Sequence, residues 1–103
     1  MENGKVAEIK INRFQLGVLL SGEGKKFYDL IISNNIYCSR CHGYSKEGII
    51  VDIAYLTVEN DIKVYGRCKV CNGDVSRLFT FGGVEEFNQK ANKLRRSIKG
   101  IAV

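Results

Sequence analysis

The feature that most constrains this chain is a pair of short motifs, Cys38-Ser39-Arg40-Cys41-His42-Gly43 and Cys68-Lys69-Val70-Cys71-Asn72-Gly73. Both read Cys-x-x-Cys-x-Gly, and together they contain all four cysteines of the protein. Two residues between cysteines allow a tight turn that directs both sulfur atoms at one point, and four such thiolates form a tetrahedral site for Zn²⁺. The motifs therefore predict one structural zinc ion per chain. Its predicted ligands are Cys38, Cys41, Cys68 and Cys71.

The residues beside these cysteines indicate a closed site. A catalytic zinc keeps one coordination position for water, whereas four cysteines fill a tetrahedral site. We therefore expect His42, the single histidine, to stay outside the coordination shell. The chain shows no Ser/His/Asp set and no phosphate-binding glycine loop, so we predict that it is not an enzyme. We also expect Gly43 and Gly73 to adopt a positive φ where the backbone leaves the metal.

Residues 36–81 are predicted to be mainly β structure. Residues 49–58 are rich in β-branched residues and tyrosine, and residues 62–65 form a second such run. A turn containing Asn60 separates them, because Asn tolerates a positive φ. Residues 75–81 are predicted to form a third strand. The hairpin lies between the two cysteine pairs and would bring them together.

This arrangement resembles the zinc-ribbon family, in which two Cys-x-x-Cys turns are held against a small three-stranded antiparallel sheet. The resemblance covers about the middle half of the chain. It implies a Cys₄ zinc site and a ribbon fold without fixing a function, since zinc ribbons serve in transcription machinery, ribosomal proteins, enzymes and adaptors. Two alternatives remain. A rubredoxin-like iron site fits poorly with the long hairpin and the absence of Trp and Pro. A thioredoxin-type redox pair needs one Cys-x-x-Cys that begins a helix after a strand. Here there are two such motifs, and each is followed by Gly and then by an apparent strand.

The segment before the predicted ribbon is expected to be helical. Asn12 is a candidate cap for a helix over residues 13–20, and residues 5–11 alternate weakly, as a strand would. A second helix is predicted over residues 26–33, after a break at residues 21–24. The side chains expected to face the core are Phe14, Leu16, Leu19, Leu20, Phe27, Leu30 and Ile31.

After the ribbon, residues 84–99 are predicted to form an amphipathic helix that stops at Gly100. The apolar stripe of this helix consists of Val84, Phe87, Ala91, Leu94 and Ile98. We therefore predict an α+β fold in a single domain of 103 residues. The domain would combine an N-terminal helical segment (1–35), a three-stranded antiparallel zinc-ribbon sheet (36–81) and the C-terminal helix (84–99).

The charge distribution favours an anionic partner. Residues 1–59 are balanced, whereas residues 60–103 hold nine Lys/Arg and four Asp/Glu, so the net charge of +5 lies in the second half. Cations interleaved with tyrosines are typical of surfaces that bind DNA or RNA. The candidate nucleic-acid-binding residues are Lys63, Arg67, Lys69, Arg77, Lys90, Lys93, Arg95, Arg96, Lys99, Tyr55 and Tyr65. The alternative is a protein-interaction module that uses the ribbon edge or the C-terminal helix.

The expected location is the cytoplasm. The longest early apolar run, residues 16–20, is too short to span a membrane, and no small-residue cleavage site follows it. In a reducing compartment, four cysteines are metal ligands more often than disulfides. We therefore expect no membrane partner. The sequence does not indicate an oligomeric state.

Overall fold

The structure is a computed structural model that describes residues 8–20, 22–81 and 83–102. Its elements, in chain order, are β1 (Ile9–Ile11), α1 (Arg13–Leu19), α2 (Gly22–Asn34), β2 (Tyr37–Cys38), β3 (Gly43–Tyr44), β4 (Ile49–Leu56), β5 (Ile62–Cys68), β6 (Asp74–Phe79) and α3 (Glu85–Ala102). The predicted α+β class is confirmed. The main sheet is antiparallel with four strands in the order β1-β4-β5-β6, and β2 pairs with β3 in a separate two-stranded sheet.

The additional strand, β1, corrects the predicted three-stranded sheet. Its three residues pair with Ala54, Tyr55 and Leu56 at the end of β4. The weak alternation of residues 5–11 indicated a strand, and residues 5–7 lie outside the described part. The partner of this strand was not predictable, because more than 40 residues separate β1 from its pairing segment. Sequence periodicity carries no information about such distant pairing.

The hairpin of β4 and β5 is confirmed, and Asn60 has a φ of 64° in its turn. A β-bulge between Val51 and Ile53 interrupts its register. On the partner strand, the backbone passes so close that a Cβ atom on Gly66 would lie 2.0 Å from the carbonyl oxygen of Ile50. Glycine is therefore required at this position, since no side chain fits beneath that carbonyl.

The two faces of the main sheet differ in what covers them. The inner face carries buried residues such as Val64 and Phe79, and the helices pack against it. Tyr28 of α2 lies 4.9 Å from Phe79 between ring centroids, and Phe87 of α3 stacks on Phe81 at 4.8 Å. Opposite residues of paired strands share a face, so the register places a second set together. This outer sheet face consists of Lys10, Ile50, Ile53, Tyr55, Lys63, Tyr65, Arg67, Asp74, Ser76 and Leu78.

The helices differ from the prediction in which residues they bury. Asn12 caps α1 as expected, accepting from the backbone N–H of Gln15 at 2.7 Å. Leu19, Leu20 and Ile31 are buried and Leu16 is partly buried, but the predictions for Phe14 and Leu30 were wrong because both are exposed. Phe27 is 46% exposed, yet its ring lies edge to face against the core residues Phe79 and Phe81. The core-facing pair of α2 is instead Tyr28 with Ile31. Phe27 with Leu30 and Tyr28 with Ile31 have the same spacing of three residues, so helical periodicity does not distinguish the two pairs.

The C-terminal helix begins one residue later and continues further than predicted. Phe87 and Ala91 are buried, and Leu94 is partly buried against the core, as expected. Val84 lies before α3 and is exposed. The predicted stop at Gly100 was wrong, since the helix runs to Ala102. None of the helices in the described residues combines the length and apolar character needed to cross a membrane.

Candidate functional site

The four cysteines converge on one point of the structure. Their Sγ atoms all lie within 4.8 Å of one another, and the structure brings both motifs together through β2 and β5. Cys38 Sγ lies 3.4 Å from Cys71 Sγ, and Cys41 Sγ lies 3.8 Å from Cys68 Sγ. A tetrahedral zinc site with Zn–S bonds of about 2.3 Å has S···S edges of about 3.8 Å. The cluster therefore has the dimensions and the soft donor set that a bound metal ion requires.

Each motif closes its turn by pairing its first cysteine with its glycine. Cys38 pairs with Gly43 across β2 and β3, and the backbone N–H of Cys68 donates to the carbonyl of Gly73 at 2.9 Å. The expected positive φ at these glycines was wrong. A positive φ occurs one residue earlier in both turns.

The left-handed residues of the two turns are His42, with a φ of 57°, and Asn72, with a φ of 63°. Asn and His are among the non-glycine residues that tolerate this region best. The glycine of the second motif has a different role, because a Cβ atom on Gly73 would lie 2.5 Å from Cδ of Arg40 and 3.3 Å from Cys71 Sγ. The missing side chain therefore lets the Arg40 side chain of the first turn lie against the second. His42 is exposed and lies outside the group of four clustered sulfur atoms.

Burial and hydrogen bonding distinguish the four sulfur atoms. Cys38 and Cys68 are buried, Cys71 is half-buried, and Cys41 is the most exposed. Cys68 Sγ accepts from the backbone N–H of Val70 at 3.4 Å and lies 3.1 Å from the hydroxyl oxygen of Ser45. The hydrogen bond with Ser45, followed by that with the backbone of Cys71, lowers the pKa of Cys68 to about 6. Cys68 therefore loses its proton more readily than Cys41, whose pKa is raised to about 12 chiefly by its hydrogen bond with Cys71.

The outer sheet face brings together four of the predicted nucleic-acid residues. The rings of Tyr55 and Tyr65 lie edge to face, 6.0 Å between centroids. Nζ of Lys63 lies 5.3 Å from the centroid of the Tyr65 ring, within cation–π range. The register places Lys10 directly opposite Tyr55, and Tyr65 is 38% exposed. Paired aromatic rings bordered by cations therefore occupy the solvent face of the sheet.

Arg67, on the same face, is held by its neighbours. Its guanidinium binds the Asp52 carboxylate through two hydrogen bonds of 3.0 Å, and it also donates to the side-chain oxygen of Asn72 at 3.3 Å. This guanidinium holds the pKa of Asp52 below its usual value. Arg67 thus links the bulge of β4 to the second cysteine turn, and one of its roles is structural.

The other predicted cations lie elsewhere. Arg77 points toward the inner face, where it lies 5.6 Å from the centroid of the Phe79 ring and donates to the carbonyl of Asn35. Lys69 is exposed on the second cysteine turn. The structure therefore separates Arg77 from the sheet surface that carries the two tyrosines.

The basic residues of α3 form a second, distinct set. Lys93 and Arg96 are exposed, and Lys90 lies 3.5 Å from Glu86. Arg95 is half-buried and donates to Asn60 and to the carbonyl of Thr57, so it attaches α3 to the β4–β5 turn. The side chain of Lys99 lies outside the described part of the chain. Because α3 packs through Phe87 on the inner side, its basic residues do not continue the outer sheet face.

Sequence reasoning missed three exposed residues. Lys10 joins the outer sheet face only through the pairing of β1, which no local pattern revealed. Tyr37 and Tyr44 face each other across β2 and β3, with ring centroids 6.3 Å apart. The sequence did carry a signal for this pair, because the two tyrosines flank the first Cys-x-x-Cys-x-Gly motif symmetrically. A turn closed between Cys38 and Gly43 necessarily brings them together.

No family model, curated protein or solved structure matches the chain. The resemblance in cysteine spacing therefore rests on this chain's residues and on the four-sulfur geometry.

Proposed function

We propose that this protein is a zinc-ribbon protein that binds single-stranded nucleic acid on its outer sheet face. The observation that carries the proposal is the edge-to-face pair of Tyr55 and Tyr65 beside Lys63 on a sheet face where Tyr65 and Leu78 are exposed. Lys10 and Arg67 border the pair on the same face.

The cysteine cluster serves this function indirectly. Its four thiolates would bind one Zn²⁺, which supplies four strong bonds between the two turns and no open position for a reaction. Cys68 ends β5, and Arg67 beside it carries its guanidinium on the outer sheet face. The cluster therefore fixes the strand that presents Lys63 and Tyr65.

Unpaired bases match this surface better than a duplex does. Stacking of a base on an aromatic side chain contributes about 1–3 kcal/mol and is open to any base, but the bases of a duplex are already stacked on each other. Lysines beside the rings can bind the phosphates that flank a stacked base. Binding by two or three phosphate contacts predicts an affinity that falls roughly 7- to 20-fold between 50 and 200 mM salt.

The test is fluorescence anisotropy of zinc-loaded protein with labelled 15-nucleotide oligo(dT), oligo(U) and a 15-base-pair duplex. We expect the single strands to bind more tightly than the duplex. Tyr65→Ala is expected to weaken binding at least tenfold, because it removes a stacking ring. Phe14→Ala is the control, since Phe14 is a 79% exposed aromatic residue on α1. Absence of binding at 50 mM salt, or equal losses in both variants, would refute the proposal.

A further inference from the structure

A groove of about 880 Å³ separates α1 and α2 from β4. Its lining includes the apolar residues Leu16, Leu20, Ile32 and Ile49 together with Tyr28. This volume falls in the range of ligand-binding clefts. The groove lies beside the cysteine cluster and does not include any of the four ligands.

One wall of this groove is an open strand edge. β4 has eight residues, and β1 pairs only with the last three, Ala54, Tyr55 and Leu56. Residues 49–53 line the groove, and in the described part of the chain no strand pairs with them on the side opposite β5. An open edge presents backbone N–H and C=O groups to any extended chain that enters. The bulge at Asp52 adds a residue that has no register partner in β5.

The opposite wall keeps space free. Gly17, in the middle of α1, lines the groove, and a Cβ atom at this position would meet nothing within 4 Å. A glycine inside a helix costs roughly 0.5–1 kcal/mol relative to alanine. No contact within the described chain accounts for that cost. A chain that occupies the groove would account for it, since it would pass close to the backbone of α1.

The charge at the rim is positive. Lys10, Arg13 and Lys69 line the groove, and none of the three forms an ion pair among the described residues. The only carboxylate in the lining, Asp52, is already bound by Arg67. A ligand with carboxylates beside apolar groups would complement this groove.

We infer that the groove binds an extended peptide segment of a partner protein, which adds a strand to β4 and alternates apolar with acidic side chains. An open edge of five residues accommodates about 16 Å of extended peptide. A nucleic-acid backbone has no alternating donors and acceptors to pair with this edge, which favours a peptide. The helices α1 and α2 border the edge and β1 ends it, so a whole sheet from a second copy does not fit.

The test uses a display library of random dodecapeptides selected on the zinc-loaded protein, followed by synthesis of the enriched peptides. Gly17→Trp places an indole in the groove, and Gly83→Trp is its matched control, because a Cβ atom at Gly83 also meets nothing within 4 Å. We expect enriched peptides to alternate β-branched and acidic residues. They should bind Gly83→Trp as the wild type does and bind Gly17→Trp at least tenfold more weakly. Bound peptide should slow amide exchange at Ile50 to Ile53.

A charge variant covers the case in which Gly17→Trp does not fold. Arg13→Glu lies in the first turn of α1, where a carboxylate suits the helix dipole, and it should weaken peptide binding about fivefold. Three results would overturn the inference: no enriched sequence, equal binding to both tryptophan variants, or amide changes outside β4. Lys10 lines the groove and also borders the tyrosine pair, so displacement of the peptide by oligo(dT) would assign the groove to nucleic acid if it persists in Tyr65→Ala, and would fit two adjoining sites if it is lost there. Dimerisation blocked by Gly17→Trp would assign the groove to a second copy. Independent binding of peptide and oligonucleotide supports two separate sites.

Discussion

The hydroxyl oxygen of Ser45 lies 3.1 Å from Cys68 Sγ, and both residues are almost completely buried. The same hydroxyl oxygen lies 2.7 Å from the carbonyl oxygen of Gly48, and its single proton stabilises a Cys68 thiolate only when it is donated to the sulfur atom. Ser45 therefore connects one of the four clustered cysteines to the loop that leads into β4. A residue that forms a hydrogen bond with a metal ligand can tune metal affinity without binding the metal itself.

Replacing Ser45 by alanine should weaken metal binding about tenfold at neutral pH. The Ser45 hydrogen bond is the largest of the causes that lower the pKa of Cys68 to about 6, so its loss raises this pKa toward the ordinary thiol value of 9.0. Protons then compete with the metal at pH 6–7, and the defect should shrink as the pH rises past 9. Competition with a chromophoric chelator, at pH 6–7 and again above pH 9, measures the metal affinity of the variant and of the wild type. Ser76→Ala, on the exposed side of β6, is the control. A pH-independent defect would contradict this explanation.

Removing the metal should unfold the region around the cluster. A ligand present at about a thousand times its dissociation constant stabilises a protein by about 4 kcal/mol, which corresponds to a Tm change of roughly 15–30 °C in a domain of this size. We therefore expect strong chelation, or Cys71→Ser, to lower the Tm by this amount. Circular dichroism and calorimetry measure the change, and elemental analysis should find about one zinc per chain. An unchanged Tm after complete metal removal would rule out a structural role.

The cysteine cluster was predictable because its information is local. Two identical spacings specify two identical turns, and tetrahedral geometry then requires the four sulfur atoms to meet. The turn at Asn60 and the cap at Asn12 were predictable for the same reason, since each depends on the preferences of one residue. The roles of Gly43 and Gly73 were not predictable, because the residue with the left-handed conformation is the one before each glycine, His42 or Asn72.

Features that depend on distant pairing were not predictable. Lys10 belongs to the outer sheet face only because β1 pairs with the end of β4. Arg95 has the spacing of a surface cation, yet the β4–β5 turn packs on α3 and half-buries it. Phe27 and Leu30 fit a core-facing stripe as well as Tyr28 and Ile31 do, and only tertiary packing decided that the second pair was buried.

Gly66→Ala should destabilise the protein severely, by about 3 kcal/mol or more. The added methyl group would lie 2.0 Å from the carbonyl oxygen of Ile50, which belongs to the backbone and cannot move without disrupting the β4–β5 pairing. Gly43→Ala is the matched control, because a Cβ atom there meets nothing within 4 Å. Urea denaturation of both zinc-loaded variants compares them. Similar midpoints would show that the bulge adapts to the extra atom.

Arg95→Ala should destabilise the protein by about 1–3 kcal/mol, because it leaves the Thr57 carbonyl and Asn60 without a charged donor. Burial lowers the pKa of Arg95, but a guanidinium remains charged at neutral pH, so the effect should not depend on pH between 6 and 9. Arg96→Ala, one residue along on the exposed side, should change the unfolding free energy by less than about 0.5 kcal/mol. Equal changes in the unfolding free energy of the two variants would show that the hydrogen bonds of Arg95 with Thr57 and Asn60 do not stabilise the fold.

Two basic surfaces compete for the role of phosphate contact, and charge reversal distinguishes them. Lys63→Glu changes the outer sheet face beside Tyr65, whereas Lys93→Glu with Arg96→Glu changes the exposed side of α3. If nucleic acid binds the sheet, the first variant should lose most of its affinity for oligo(dT) and reduce the slope of log affinity against log salt by about one phosphate contact. The double variant should retain the wild-type slope and lose only a modest factor through the long-range field. The reverse pattern would place the binding surface on α3 and leave the tyrosine pair without a role in it.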